Sequence, residues 1–337
     1  MTNPLKIGVV GGGIRGTMYA QAIREHPSAE LVAFCEPSPT RAEALKAGYD
    51  VPVFPSLSAL LESADTLDAV IIATPDHLHL DAGLTALDAG LHVLFEKPLA
   101  TTLEDSSALL AHAVNGGKHT VGFENRWHPK FQTVKALLDE TGAPMVAQRA
   151  MLQDTDFVPR TMLPWAGQST PGWFLMPHSL DMAMWLSGTT PIEVFARGVR
   201  KILEPDGIDT FDRITASFRM SDDSIVTLDS GWVLPAARPA VFEFRFEVET
   251  RDDHFEVEID RSGITRFTAD AANYVGLAGR DHRGRLQGSP IEMTKDFIDW
   301  CLGADLSMPS LEHGHLVTKA IHALHESLRT SSNCPID

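Results

Sequence analysis

The sequence predicts an α/β chain in two parts. A parallel, doubly wound sheet comes first, then an α+β part built on a large, mostly antiparallel open sheet. Three observations predict this. Apolar runs of strand length alternate with helix-patterned segments as far as residue 123. A glycine-rich turn directly follows the first of those runs. Beyond residue 141 longer strands with period-two alternation take over, clearest in VFEFRFEVET, where Phe242, Phe244, Phe246 and Val248 face one way and Glu243, Arg245, Glu247 and Glu249 the other.

In order, LKIGVV (5–10) is the first strand and IRGTMYAQAIREHP a helix. ELVAFCE (30–36) is the second strand, followed by a helix with Ser38 as N-cap and Pro39 at its first position. LDAVIIATP, HVLFEKP and HTVGF are further strands, separated by the helices HLHLDAGLTALDAG and TTLEDSSALLAHAVNGG. A helix over 128–141 opens the second part, with strands expected at 144–152, 192–202, 212–220, 225–233 and 253–268. Residues 269–288 read as a long loop, and the tail returns to helices at 289–303 and 311–329. At 337 residues the chain is long enough for two cores, one over 1–123 and one over 124–337.

Composition narrows the function. Twenty-eight basic against 45 acidic side chains leave a formal charge of −17, which disfavours nucleic acid and anionic membranes as partners. The apolar runs are too short to span a bilayer, and the N-terminus lacks a secretory pattern, so the expected location is cytoplasmic. Three cysteines, Cys35, Cys301 and Cys334, have no paired spacing, which speaks against a disulfide framework or a thiolate metal site. His313, His315, His322 and His325 lack complementary ligands in their spacing and read as a solvated histidine-rich helix; no metal is expected.

KIGVVGGGIRG carries Gly11-x-Gly13-x-x-Gly16 between a strand and a helix, with Ile14 and Arg15 inside the turn. This spacing lets the backbone turn tightly, approach a diphosphate and aim helix amides at it, as in a Rossmann-type domain. Glu36, twenty residues past Gly16 at the end of the second strand, is placed to accept hydrogen bonds from a ribose. A carboxylate there repels a 2′-phosphate, so the cofactor reads as NAD; Arg15 and Arg41 nearby leave NADP open.

Several motifs together resemble the glucose–fructose oxidoreductase/inositol dehydrogenase/MocA-like (Gfo/Idh/MocA) oxidoreductases. TPDHLHLDAGLTALDAGLHVLFEKPLA (74–100) is similar to that family's Thr-Pro-x-x-x-His segment leading into Glu-Lys-Pro. GFENRWHPKFQ (122–132) resembles the arginine segment that follows, with Arg126 at the arginine, and GWFLMPHSLDMAMWLSG (172–188) the helix bearing His-x-x-Asp. The resemblance implies a nicotinamide-dependent enzyme acting on a sugar, polyol or related alcohol, and a homodimer or homotetramer through the second sheet. It places Thr74, Pro75, His79, Glu96, Lys97 and Pro98 at the cofactor, Lys97 as the active-site lysine, and His178 as the acid/base histidine.

Lys97 lies at the carboxyl end of a parallel strand, where open α/β sheets bind ligands. Its ammonium can donate to a substrate hydroxyl while Glu96 positions or balances the charge; a rim ion pair is the plainer alternative. His178, Asp181 and Trp185 share one helical face. Asn125 and Arg126 are candidates for substrate oxygens, with an interdomain ion pair as the alternative for the arginine. Trp165 and Trp173 are candidates for an apolar wall or for core packing. One departure stands out: many family members carry an aspartate four residues before the histidine, and here that position is Phe174. Asp181, Arg160 or Asp156 are the groups able to compensate. Two rival functions therefore stay open, a non-redox enzyme that oxidises transiently and eliminates, and a cofactor-binding sensor without catalysis.

Overall fold

The computed structural model describes residues 3–63, 66–113, 116–261, 265–267, 272–274 and 279–336. The chain divides into two compact units, 1–127 with 278–318, and 128–277 with 319–337. In the first, β1 (Leu5–Val10), α1 (Ile14–Glu25), β2 (Ala29–Cys35), α2 (Pro39–Tyr49), β3 (Val53–Phe54), α3 (Leu57–Glu62), β4 (Ala69–Ile72), α4 (His79–Asp88), β5 (His92–Glu96), α5 (Leu103–Ala111) and β6 (His119–Gly122) follow one another. The short β3 and α3 add to the elements that the pattern predicted. The strands form a six-stranded sheet in the order β3-β2-β1-β4-β5-β6, with every pair parallel. The order reverses between β1 and β4, which places a ligand crevice at the carboxyl ends of those strands.

Parallel strands covered on both faces need continuous apolar side chains. Ile7, Val9, Val70, Ile71, Val93 and Leu94 supply them, none with more than a trace of exposure. Each such side chain stabilises the fold by about 1.5–3 kcal/mol.

In the second unit come α6 (Pro129–Thr141), β7 (Met145–Thr155), α7 (Pro171–Phe174), α8 (Met176–Ser187), β8 (Pro191–Val199), β9 (Arg213–Met220), β10 (Ile225–Leu234), β11 (Phe242–Thr250), β12 (His254–Glu258), β13 (Thr265–Phe267) and β14 (Ala272–Tyr274). The chain then runs through β15 (Gly279–Arg280), β16 (Leu286–Gln287), α9 (Ser289–Cys301), α10 (Leu311–Thr330) and β17 (Cys334–Pro335). Met293, Phe297 and Ile298 of α9 join Ile7, Val9 and Tyr19 in the first unit's core, so this late segment belongs to that unit.

Seven strands form the second sheet in the order β12-β11-β7-β10-β9-β8-β17. All its pairs are antiparallel except β7 with β10. Phe244, Phe246 and Val248 are buried as their alternation predicts, while Phe242 at the strand's start is 39% exposed. Glu243 departs from the expected wetted face. It is buried because Arg238 and Arg245 reach its carboxylate at 3.1 and 2.7 Å.

The predicted long loop at 269–288 is a loop only in part. β14 pairs with β13, and β15 with β16, in two short hairpins; 268–271 and 275–278 lie outside the described residues. The strand expected over 253–268 is likewise two strands, β12 and β13, with 262–264 outside the described residues. Among the described residues no helix is long and apolar enough to cross a membrane.

Candidate functional site

The first part of the site is the turn between β1 and α1. Gly11 has φ +97°, and a Cβ there would lie 2.5 Å from the Ala73 carbonyl oxygen; at Gly16 it would lie 1.8 Å from that of Gly11. Only hydrogen fits at either position. Gly13 has nothing within 4 Å of where its Cβ would be, and α1 starts there with no side-chain cap and no acidic residue in its first turn. A helix start of this kind offers backbone N–H groups and a positive end to an anion, so the turn fits a dinucleotide's diphosphate. Ile14, 66% exposed, stands over it.

Glu36 follows β2 and is buried. Its carboxylate accepts from the Gly12 N–H at 2.9 Å, the Ser38 N–H at 2.9 Å and the Arg41 guanidinium at 3.0 Å. Burial alone pushes its pKa up, but the Arg41 guanidinium and these two amides outweigh it and hold the carboxyl below its ordinary value. Ser38 starts α2, as predicted, although its side chain makes no capping bond, and Pro39 occupies the first turn.

At the carboxyl ends of β5 and β6 lies a buried ion network. Glu96 and Lys97 are both buried, and the Lys97–Pro98 peptide is cis. Glu96 Oε2 accepts from the Lys97 N–H at 3.0 Å, while Oε1 accepts from the Tyr19 hydroxyl and faces Arg15 Nε at 3.1 Å. Arg15 also donates to Glu124 Oε1, just past β6. One guanidinium from the glycine turn thus ties together the ends of two strands.

Burial pushes the Lys97 ammonium below its ordinary pKa against the upward pull of Glu96 and Glu124, with Arg15 adding to the downward push. For Arg15 burial acts the other way from its partners, and Glu124 and Glu96 win, raising it. Tyr19 is raised by burial and by Glu96.

His79, which starts α4, is buried with its two ring nitrogens at 3.2 Å from the carbonyl oxygens of Leu99 and Thr74. It links the Thr74-Pro75 turn to the segment after Pro98. Burial lowers its pKa, opposed by Asp76 and the two carbonyls. Asp76 is itself buried, its Oδ1 3.5 Å from His77 Nδ1. In the turn after β6, Asn125 is half-buried, and the Arg126 guanidinium donates to His313 Nε2 at 2.9 Å.

In the second unit α8 carries His178, half-buried, and Asp181, almost fully buried. Pro177 lies in its first turn and Gly188, with φ 71°, ends it. Phe174 sits between two tryptophans, its ring centroid 6.0 Å from Trp165 and 5.7 Å from Trp232. The Phe174 position is therefore an aromatic packing site. Trp173 stacks on His325, centroids 5.1 Å apart, and is core rather than wall. Arg160 pairs with Asp206 at 2.6 Å and with Asp156 at 3.4 Å.

The histidines of α10 are not the solvated row that their spacing suggested. His313 faces Arg126, His315 Nδ1 meets Ser106 Oγ at 2.9 Å, and His325 bonds Thr170 Oγ1 at 2.8 Å and the Ile321 carbonyl at 2.7 Å.

Sequence reasoning missed Tyr19 and Glu124 as partners of Arg15 and Glu96. Tyr19 lies four residues after Arg15 and so on the same helical face, a signal that was available. Glu124 lies two residues beyond β6, and it meets Arg15 only once the sheet is assembled.

These features are those of an NAD-binding dehydrogenase: a doubly wound parallel sheet, a glycine-cradled helix start, a buried carboxylate just past the second strand and a buried lysine at a strand end. Residues 5–123 match the description "Oxidoreductase family, NAD-binding Rossmann fold" and residues 131–256 match "GFO/IDH/MocA C-terminal domain". The UDP-N-acetylglucosamine 3-dehydrogenase of Acidithiobacillus ferrooxidans is 30% identical over 243 residues, 71% of each chain. An inositol 2-dehydrogenase of Corynebacterium glutamicum is 30% identical over 58% of this chain and 57% of its own. Among solved structures, myo-inositol 2-dehydrogenase from Lactobacillus plantarum superposes with a TM-score of 0.85 at 19% identity, covering 99% and 100% of the two chains. The scyllo-inositol dehydrogenase from Lactobacillus casei, solved with NAD(H) and scyllo-inositol, gives 0.84 at 21% identity over 99% of both chains. The chain belongs to the Gfo/Idh/MocA oxidoreductase family and is an NAD-dependent oxidoreductase.

Proposed function

We propose that the enzyme moves a hydride between a nicotinamide and a secondary alcohol carbon of a sugar, polyol or sugar-derived alcohol. The observation that carries this reading is the buried Lys97 at the end of β5, fixed through its own N–H to a Glu96 that Tyr19 and Arg15 hold in place. NAD, when bound, supplies the hydride acceptor; Gly11, Gly13, Ile14, Arg15 and Gly16 would frame its diphosphate, and Glu36 its ribose. Arg41 and two backbone amides hold the Glu36 carboxyl below its ordinary pKa, and Thr74, Pro75 and His79 shape the loop after β4.

Lys97 holds the proton of the reacting hydroxyl. Its lowered pKa increases the fraction of neutral amine at neutral pH, which is the form that accepts a proton. We assign the second proton-handling role to His178, with Asp181 as the carboxylate of the same helix, and substrate oxygens to Asn125 and Arg126. Arg126 gives one donor to His313, and a guanidinium has further N–H groups to offer. Trp165 supplies an apolar surface to the ring. The named activities of the relatives, on inositols and on a nucleotide sugar, support the substrate class.

We also propose a homodimer or homotetramer, which light scattering tests: a monomer would reject it. The test of the catalytic reading is Lys97→Met assayed for NADH formation with myo-inositol, scyllo-inositol and UDP-N-acetylglucosamine. Turnover should fall about 10²–10⁴-fold with NAD affinity retained; wild-type turnover in this variant would remove Lys97 from the chemistry.

A further inference from the structure

Phe174 stands one helical turn before His178. Leu175, between α7 and α8, keeps helical dihedrals (φ −105°, ψ −44°). The N–H groups of Phe174, Leu175 and His178 donate to the carbonyls of Thr170, Pro171 and Leu175 at 2.9, 3.0 and 3.1 Å. Phe174 and His178 therefore occupy neighbouring positions on one side of the helical run. The Thr170 hydroxyl caps α7 by accepting from the Trp173 N–H at 3.1 Å, which fixes the stem of the ring. Phe174 packs on Trp232, which has no exposure, while Phe174 and Trp165 are both half-buried and keep part of their surface outside. This rim has no acceptor: phenylalanine offers no polar atom, and an indole only donates. The groups able to compensate for a missing aspartate are placed otherwise. Arg160 is engaged with Asp206 and Asp156, and Asp181 is 1% exposed. A substrate hydroxyl turned toward Phe174 would lose its water and find nothing to receive its proton. A methylene, methyl or O-alkyl group there gains burial instead.

We infer that Phe174, with Trp165, sets substrate specificity: the enzyme selects a sugar or polyol that is deoxygenated or O-alkylated at the carbon facing these rings, over the fully hydroxylated parent. The inference rests on the reading above that His178 handles a proton of the reacting alcohol. It narrows the substrate class to alcohols that carry an apolar group close to the reacting carbon. The aromatic ring thus does more than fill space, since the same side chain that packs on Trp232 decides which face of a substrate is accepted.

The experiment measures kcat/KM for NAD reduction by the full-length protein with two matched sets: glucose with its monodeoxy and mono-O-methyl derivatives, and myo-inositol with its monodeoxy and mono-O-methyl derivatives. In the wild type at least one derivative should exceed its parent by about 10–100-fold. Phe174→Leu should keep that order, and Phe174→Asp, whose carboxylate accepts from a hydroxyl, should reverse it, with circular dichroism showing that both variants are folded. The wild-type order alone decides the matter if a variant does not fold. A parent preferred over all its derivatives in both sets, or the same order in Phe174→Leu and Phe174→Asp, overturns the inference and leaves the hydride-transfer reading in place. A wild type that reduces NAD with no member of either set removes the substrate class proposed above, and the inference with it.

Discussion

The strand ends of the first unit and the helix-covered face of the second sheet solve opposite problems. At the ends of β5 and β6 the buried groups are charged, and each carboxylate is answered by Arg15, Tyr19 or a backbone N–H. Around α7 and α8 the contacts are apolar and include an aromatic trio, with half-buried Phe174 between Trp165 and Trp232. Two histidines sharpen the contrast. His325 in the second unit has one acceptor, the Ile321 carbonyl, and one hydroxyl able to donate, Thr170. Those partners suit a neutral imidazole. His79 in the first unit faces two carbonyl oxygens, and a neutral ring can donate to only one of them. The partners of His325 thus match a neutral ring, whereas a neutral His79 leaves one of its two carbonyls without its donor.

If that contrast holds, the aromatic face should act through stability. Trp232 has no exposure, and Trp232→Ala should cost about 3–5 kcal/mol in denaturant unfolding. A loss below about 1 kcal/mol would mean that the trio is loosely packed and that Phe174 does not belong to a packing cluster.

The next effect is on the acid side. Burial holds the His325 pKa down at about 4, below its unfolded value, so the unfolded chain binds a proton that the folded chain refuses. Stability from this group is complete above about pH 6.5 and is lost as pH falls toward 4, by up to about 3 kcal/mol. Unfolding free energies measured between those pH values should show this slope, and His325→Gln should flatten it. An unchanged slope in the variant would place the acid sensitivity elsewhere.

Much of the first unit was legible because its signals are contiguous. A strand, three glycines and a helix start occupy one short segment, and Glu36 falls at a fixed distance from it. The Glu96-Lys97-Pro98 run was legible for the same reason. Tyr19 and Glu124 were not, because their meaning arises only when β5 and β6 lie side by side and Arg15 reaches both. Phe174 was legible only as a departure; its partner Trp232 is 58 residues away on β10, and no local pattern announces that pairing. The histidines of α10 were misread as solvated because helical spacing says which residues share a face, but not what that face meets. Likewise, the return of residues 278–318 to the first unit depends on Phe297 and Met293 finding a core laid down more than 200 residues earlier.

The account turns on the glycine turn as a dinucleotide cradle, and the most direct measurement is calorimetric titration of NAD into the wild type and into Gly16→Ala, with circular dichroism to show that both are folded. The account predicts one NAD per wild-type chain and no detectable binding by the variant, whose added Cβ would lie 1.8 Å from the Gly11 carbonyl oxygen. Equal binding by the two proteins, or none by the wild type, would contradict it.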